Sequence, residues 1–439
     1  ESRRHCLAGD GRGRPILQPL RHGVIIAGMP AAAPLKLNGR SGIEEDRVAN
    51  ERREMLEKST TLYFGPWYRR SPYFESTLAA GCTAYDIYNH MYLPAYYDDP
   101  DIEYWALVNG VTMWDVGVER TVEVSGKDAD RLIDYITCRD LTKCAVGQGK
   151  YMPVIAPDGG LVNDPVLLHV GERRWWMQLA DSDAGLYALG VAAGRFDVDV
   201  TLPDVHPMQV QGPLAAKTLE KLVGPSIFDI KYYWLGEHEI DGIPVVVSRT
   251  GWTAIPGFEI NVLDRRDGAA IWDAVAAAGE EFDIRPIAPC EARRIEAGIF
   301  NYGSDMTLED TPFHLSGLER LVETQEQDYL GKAALERIRE TGVDRKLVGM
   351  FLEGDQLRAE LSQPWPVLSG NDEVGRVTDA VWSPGLEQNI GYMWVPIHLS
   401  APGTRVDVVT EGGEEVTAVA ASLPFVDPQK KAPAQSLSV

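Results

Sequence analysis

The character of the chain changes after Thr341-Gly342, and that change limits the fold more than any other feature. Residues 347–352, 365–368, 375–382, 389–394 and 406–419 are short, largely apolar runs divided by Gly, Pro and Asn. Runs of that length bury themselves by pairing with one another, so residues 341–430 read as an all-β C-terminal domain, a small barrel or jelly roll. Glu411-Gly412-Gly413-Glu414, between 406–409 and 416–419, is a hairpin signal. Residues 431–439 follow as a tail.

Upstream, residues 61–340 alternate strands with short helices. Residues 121–124 read as a strand, followed by Ser125-Gly126 and a helix carrying Ala129, Leu132, Ile133 and Ile136 on one face. Residues 214–223 repeat that amphipathic logic and end at Gly224, a suitable glycine to follow a helix. A third helix over 269–278 is expected to close at Gly279. The regular rhythm of a doubly wound sheet is missing, so the class is α+β. Residues 1–60 differ from the rest, being rich in Arg, Gly and Pro without sustained periodicity. They read as a disordered leader or a start placed too early, with only 44–58 able to form a polar helix.

Charge narrows the partners. The 42 Lys and Arg against 65 Asp and Glu give a net charge of −23. Residues 71–439 carry 29 of those bases against 57 of the acids. Phosphate binding needs a basic face, so nucleic acid is excluded as a partner, and a cationic small molecule suits the acidic body. Five scattered cysteines without a CxxC pair give neither a disulfide framework nor a metal site. Without an apolar run of membrane-span length or a signal-peptide core, a cytoplasmic protein is expected, as a monomer or homodimer.

Three groups of residues could carry chemistry. Asp164 follows the Asp158-Gly159-Gly160 turn, and Val162, Asp164, Val166 and Leu168 share a face if strand alternation holds. A carboxylate on an apolar face is costly unless it is paired or used, although an Asp that caps the hairpin is an equal reading. Glu259 alternates with Phe258, Ile260 and Val262 and so points away from their apolar face. On pattern alone it reads as an exposed strand glutamate. The aromatics around Tyr73, Tyr88, Trp176 and Trp252 are mostly packing residues, though ring faces could hold a sulfonium or ammonium group. His90, in Tyr88-Asn89-His90-Met91, reads more readily as structural than as a catalytic base.

The segments Trp114-Asp115-Val116, Gly126-Lys127-Asp128-Ala129, 159–164, Gln211-Gly212-Pro213, 249–259, Arg294-Ile295-Glu296-Ala297-Gly298, Tyr329-Leu330-Gly331-Lys332 and Leu423-Pro424-Phe425 share an order and spacing. Together they resemble the folate-binding aminomethyltransferase family typified by the glycine-cleavage T protein. The resemblance implies a three-domain ring around a central cavity for tetrahydrofolate. It also implies that Asp164 is the acid near N5 of the pterin and Glu259 the carboxylate that grips the pterin ring, reversing the bland reading of Glu259. Arg249, Trp252 and Tyr151 fall on cofactor-lining segments. Asn163-Asp164 replaces the two adjacent acids usual in T proteins, and this form, with 88–94 and Ala180-Asp181-Ser182-Asp183, looks like the dimethylsulfoniopropionate demethylase branch. In that branch Tyr73, Tyr88 and Trp176 sit in segments near the substrate.

The function so implied is methyl transfer from a sulfonium donor to N5 of tetrahydrofolate, without a metal. Rival readings keep the scaffold but use a methoxy-aromatic, a betaine or N-methyl amine, or an aminomethyl-lipoyl donor. A further rival is a non-catalytic folate-binding protein.

Overall fold

The computed structural model describes residues 64–359 and 361–437. The leader read at 1–60 and its polar helix at 44–58 lie outside them, as do the last two residues of the tail.

Two sheets organise the first part. One has five antiparallel strands in the order Asp199–Thr201, Thr121–Ser125, Arg174–Gln178, Val166–Gly171 and Gly149–Tyr151. The other has six, in the order Leu235–Ile240, Ile243–Ser248, Gly257–Val262, His206–Gln211, Thr112–Asp115 and Arg285–Pro286. Only its last pair is parallel, which fits α+β rather than a doubly wound sheet. Each sheet buries one face under helices. In the first, Val122, Val124, Leu167, Trp175 and Met177 pack against Leu132 and Ile133 of helix Ala129–Tyr135 and Ala188 of helix Ala184–Ala192. In the second, Met208, Val210, Phe258, Ile260 and Val262 pack against Leu219 of helix Ala215–Val223 and Ile271, Trp272 and Val275 of helix Gly268–Gly279.

Helix Ala215–Val223 stops at Gly224, whose φ of +76° an L side chain rarely adopts. Gly279 does not act that way. The chain runs through it into a 3-10 turn, Glu280–Phe282, and reverses at Asp283 with φ +52°. Gly279 serves packing instead, since a Cβ there would lie 2.5 Å from Ile284.

The C-terminal part is a closed barrel of six strands in the order Arg345–Leu352, Gln388–Pro396, Asp372–Ser383, Trp365–Ser369, Arg405–Val409 and Glu415–Ala421. Val408 faces Val416 across the expected hairpin. The barrel meets the rest at helix Glu291–Glu296. There the buried Arg294 guanidinium donates to Glu291, Asp305 and Asp379. Glu296 accepts from Tyr104 at 2.9 Å and from Ser383, and its carbonyl accepts from Phe425 N at 3.0 Å. Two motifs more than 120 residues apart in sequence are thus one joint. Among the described residues no helix is long and apolar enough to cross a membrane.

Candidate functional site

With helices on one face of each sheet, the other faces carry the polar residues. Strand alternation puts Gln209, Ser248, Glu259 and Asn261 on the uncovered face of the six-stranded sheet, opposite Phe258 and Ile260. The five-stranded sheet turns Leu168, Trp176 and Gln178 the same way, opposite Leu167, Trp175 and Met177. These faces meet. Gln178 Nε2 donates to Asn261 Oδ1, and Val246 packs with Leu168, Trp176 and Val205.

Glu259 therefore does not lie in solvent. Only 2% of it is exposed. Its Oε1 accepts from Gln209 Nε2 at 2.8 Å and its Oε2 from Thr250 Oγ1, which also bonds Ser248 Oγ at 2.7 Å. Burial raises its pKa, and these donors work against the rise. For Glu119, in the turn before strand Thr121–Ser125, no such donors are found among the described residues. Burial and then the charge of Glu259 hold its carboxyl well above the usual range.

Asp164 sits where strand alternation fails. Pro165 splits the expected strand: Leu161–Asn163 pairs with Val154–Ile155, while Val166–Gly171 joins the five-stranded sheet. Val162 consequently packs on the helical side and Leu168 on the other, so the shared face expected for 162–168 does not form. At the break, Asp164 Oδ2 accepts from the Tyr151 hydroxyl at 2.9 Å and the buried Oδ1 accepts nothing. Burial, aided by Asp305, pushes its carboxyl up to about 7 against the Tyr151 hydrogen bond.

Tyrosines surround these acids. Burial and the charges of Asp164 and Glu119 raise the Tyr88 phenol well above its ordinary range. Tyr233 is likewise raised, by burial and then by Tyr232, Glu259 and Asp164. Its backbone is held at φ +59°, with its N–H on Arg249 O at 2.9 Å and its carbonyl on Gly149 N at 2.7 Å, one bond to each sheet. Asp164, Glu119, Tyr88, Tyr151 and Tyr233 each keep part of their surface open while sitting deep enough to be desolvated, the mark of a crevice. Among the described residues no Lys or Arg pairs with Asp164, Glu119 or Glu259.

Tyr88, Tyr151, Asp164 and Glu259 are thus brought together. Five other residues singled out in the sequence turn their side chains elsewhere. Tyr73 is in the core under the six-stranded sheet, its hydroxyl on His206 O at 2.8 Å and its ring beside Trp272. Trp176 is spent on the contact between sheets, with Nε1 on Glu123 at 2.8 Å. Trp252 lies at the barrel joint, its ring centroid 5.3 Å from the Arg294 guanidinium. The Arg249 guanidinium turns to the tail, donating to Pro433 O at 2.8 Å and Gln435 O at 2.6 Å. His90 is exposed on a tight turn, its carbonyl accepting from Arg69 N at 2.9 Å. Glu119, Gln209 and Tyr233 escaped sequence reasoning, and Thr250 entered only as part of the 249–259 segment. Glu119 alone left a signal, as a carboxylate in a turn flanked by Val116, Val118 and Val122.

Residues 73–326 match the GCVT N-terminal domain, and residues 345–427 the glycine cleavage T-protein C-terminal barrel domain. A dimethylsulfoniopropionate demethylase from Ruegeria pomeroyi is 36% identical over 79% of this chain and 94% of its own. An aminomethyltransferase from Desulfitobacterium hafniense is 28% identical over 78% and 94%. In fold, the chain is similar to the glycine cleavage system aminomethyltransferase T from Bartonella henselae, with a TM-score of 0.74 at 21% identity over 82% of this chain and 98% of that one. The chain belongs to the glycine-cleavage T-protein family, enzymes that use tetrahydrofolate to carry a one-carbon unit.

Proposed function

We propose that the chain moves a methyl group from a sulfonium donor, dimethylsulfoniopropionate or a close relative, to tetrahydrofolate. The observation that carries the reading is the crevice of Tyr88, Tyr151 and Tyr233 around Asp164 and Glu119, two acids that no Lys or Arg among the described residues pairs with. A sulfonium has no N–H to donate and is held best by ring faces and nearby negative charge. The demethylase similarity supports the same donor class.

The residues fit a folate. Gln209 Oε1 and Asp164 Oδ1 are buried acceptors without a donor, and Glu259 lies beside Gln209. A flat heterocycle edged with N–H groups supplies what they lack. Glu259, with Gln209 and Thr250, would hold the ring, and tetrahydrofolate would supply N5 as the methyl acceptor. Asp164, steadied by Tyr151, would stabilise positive charge near the reacting atoms. Tyr88 and Glu119 would align the donor. Since a sulfonium already leaves readily, alignment is the main task and can lower a barrier by up to roughly 7–11 kcal/mol.

The test offers purified protein and tetrahydrofolate to dimethylsulfoniopropionate, glycine betaine and vanillate in parallel, following 5-methyltetrahydrofolate by mass spectrometry. Product from the sulfonium alone is expected. Product from another donor would replace the substrate, and folate binding without product from any donor would refute methyl transfer.

A further inference from the structure

Asp164 and Tyr88 lie 76 positions apart, yet the residue before one and the residue after the other grip the same short segment. Asn163 is fully buried. Its Nδ2 donates to Ala180 O at 3.0 Å and to Ser182 Oγ at 2.7 Å, and its Oδ1 accepts from Ala180 N at 3.2 Å. The Ser182 hydroxyl in turn donates to Val162 O at 2.9 Å. On the other side of the segment, Asn89 donates its N–H to Asp181 Oδ1 and its Nδ2 to Leu179 O, both at 3.0 Å. Asn89 is 1% exposed and has φ +50°, a backbone state that side chain–backbone bonding helps Asn to adopt. Residues 179–182 therefore form a splint between the turn that carries Tyr88 and the strand break that carries Asp164.

The chemistry demands an amide at 163. A carboxylate there would put two acceptors, its own oxygen and Ala180 O, about 3 Å apart, and it would offer no hydrogen to either Ala180 O or Ser182 Oγ. We infer that Asn163 is a positioning residue for methyl transfer, setting the distance and angle of Tyr88 relative to Asp164 through the Leu179–Ser182 splint. The inference rests on the reading that Tyr88 and Asp164 flank the donor, and it adds the device that spaces them. The Asn163 side chain is fully buried and spent on Ala180 and Ser182, so its part is to position.

Two measurements on the full chain test it separately from the choice of donor. The first is amide hydrogen exchange. Asn163→Asp should speed exchange at the Asn89 N–H by tenfold or more while leaving barrel amides such as Val348 unchanged. Unaltered protection at Asn89 would overturn the splint whatever the enzyme's substrate. The second is kinetic, with whichever donor the wild-type protein turns over. Asn163→Ala and Asp181→Ala should each raise the donor KM and lower kcat, about tenfold together in kcat/KM, with the tetrahydrofolate KM within twofold. Combined, they should cost no more than either alone, because both break one device. Asp181→Asn, which keeps an acceptor for Asn89 and lies on an exposed residue, should restore near wild-type kinetics. Multiplying effects, or losses shared equally by both substrates, would refute the inference. A wild-type protein that ignores the sulfonium would refute the donor and not the splint.

Discussion

Replacing Asp164 by Asn should make the protein more stable and far less active, and pH separates the two effects. Its carboxyl stands at about 7 in the folded chain against an ordinary 3.8, chiefly through burial. The folded state therefore binds more proton than the unfolded state between about pH 4 and 7, and stability falls as pH rises through that window. Above 7 the whole penalty is present. A shift of this size corresponds to about 4 kcal/mol, since one unit is worth about 1.4 kcal/mol. Asn does not titrate, and its Oδ1 can still accept from Tyr151, so the variant escapes the penalty. Thermal unfolding at pH 8 should show a gain of a few degrees that disappears near pH 4. Turnover should fall about 10²–10³-fold, the range for removing one preorganised electrostatic partner of a transition state. Tetrahydrofolate affinity, measured by calorimetry, should change much less. An equal thermal gain at both pH values would show that Asp164 is not the buried acid described. Turnover within threefold of wild type would remove it from the chemistry.

Three further outcomes are expected. Glu259→Gln should weaken tetrahydrofolate binding by about tenfold or more, the effect of losing charge-assisted hydrogen bonds in a buried site; calorimetry that finds no change would remove Glu259 from the pterin contact. Arg294→Met should destabilise the fold by about 3–5 kcal/mol, because Asp305 and Asp379 are left buried without their partner; an unchanged denaturant midpoint would refute that. At pH 7 a cationic donor should release up to about half a proton as it binds, since Asp164 is then about half protonated. Titrations in buffers of different ionisation enthalpy count that proton, and zero release would separate the donor from Asp164.

The barrel was legible because short apolar runs and a Gly-Gly turn leave few other ways to bury themselves, and 408 and 416 meet as the hairpin signal required. Alternation gave the side of the strand on which Glu259 lies, but not what covers that side. A strand reads the same whether its polar face meets water or a second sheet. The face shared by 162–168 was conditional on alternation, and Pro165, which denies a strand its ladder bond, splits the strand and ends that alternation. Tyr73 and Trp176 were expected near the substrate, yet the backbone directs one ring into the helical core and the other into the contact between sheets. Tyr233 could not be found at all, because its place depends on a left-handed backbone fixed by two long-range bonds. Gly279 shows the converse, a glycine kept for what packs against it rather than for its φ.

The electrostatics also bear on why such a site would prefer a cation. Asp164 and Glu119 both hold protons more tightly than ordinary carboxyls, chiefly because burial deprives them of water, and among the described residues neither pairs with a basic side chain. A neutral ether entering the crevice would displace more water and raise both carboxyls further. A sulfonium would do the opposite. Its fixed charge favours the ionised form of any acid it approaches, so its arrival would generate the Asp164 carboxylate that the transfer requires. The donor would then help complete the site that acts on it, and a neutral donor of the same shape would meet an acid still protonated at pH 7. On this argument selectivity comes from the coupling of donor charge to the ionisation of Asp164, with the tyrosine rings excluding water so that the coupling is not screened.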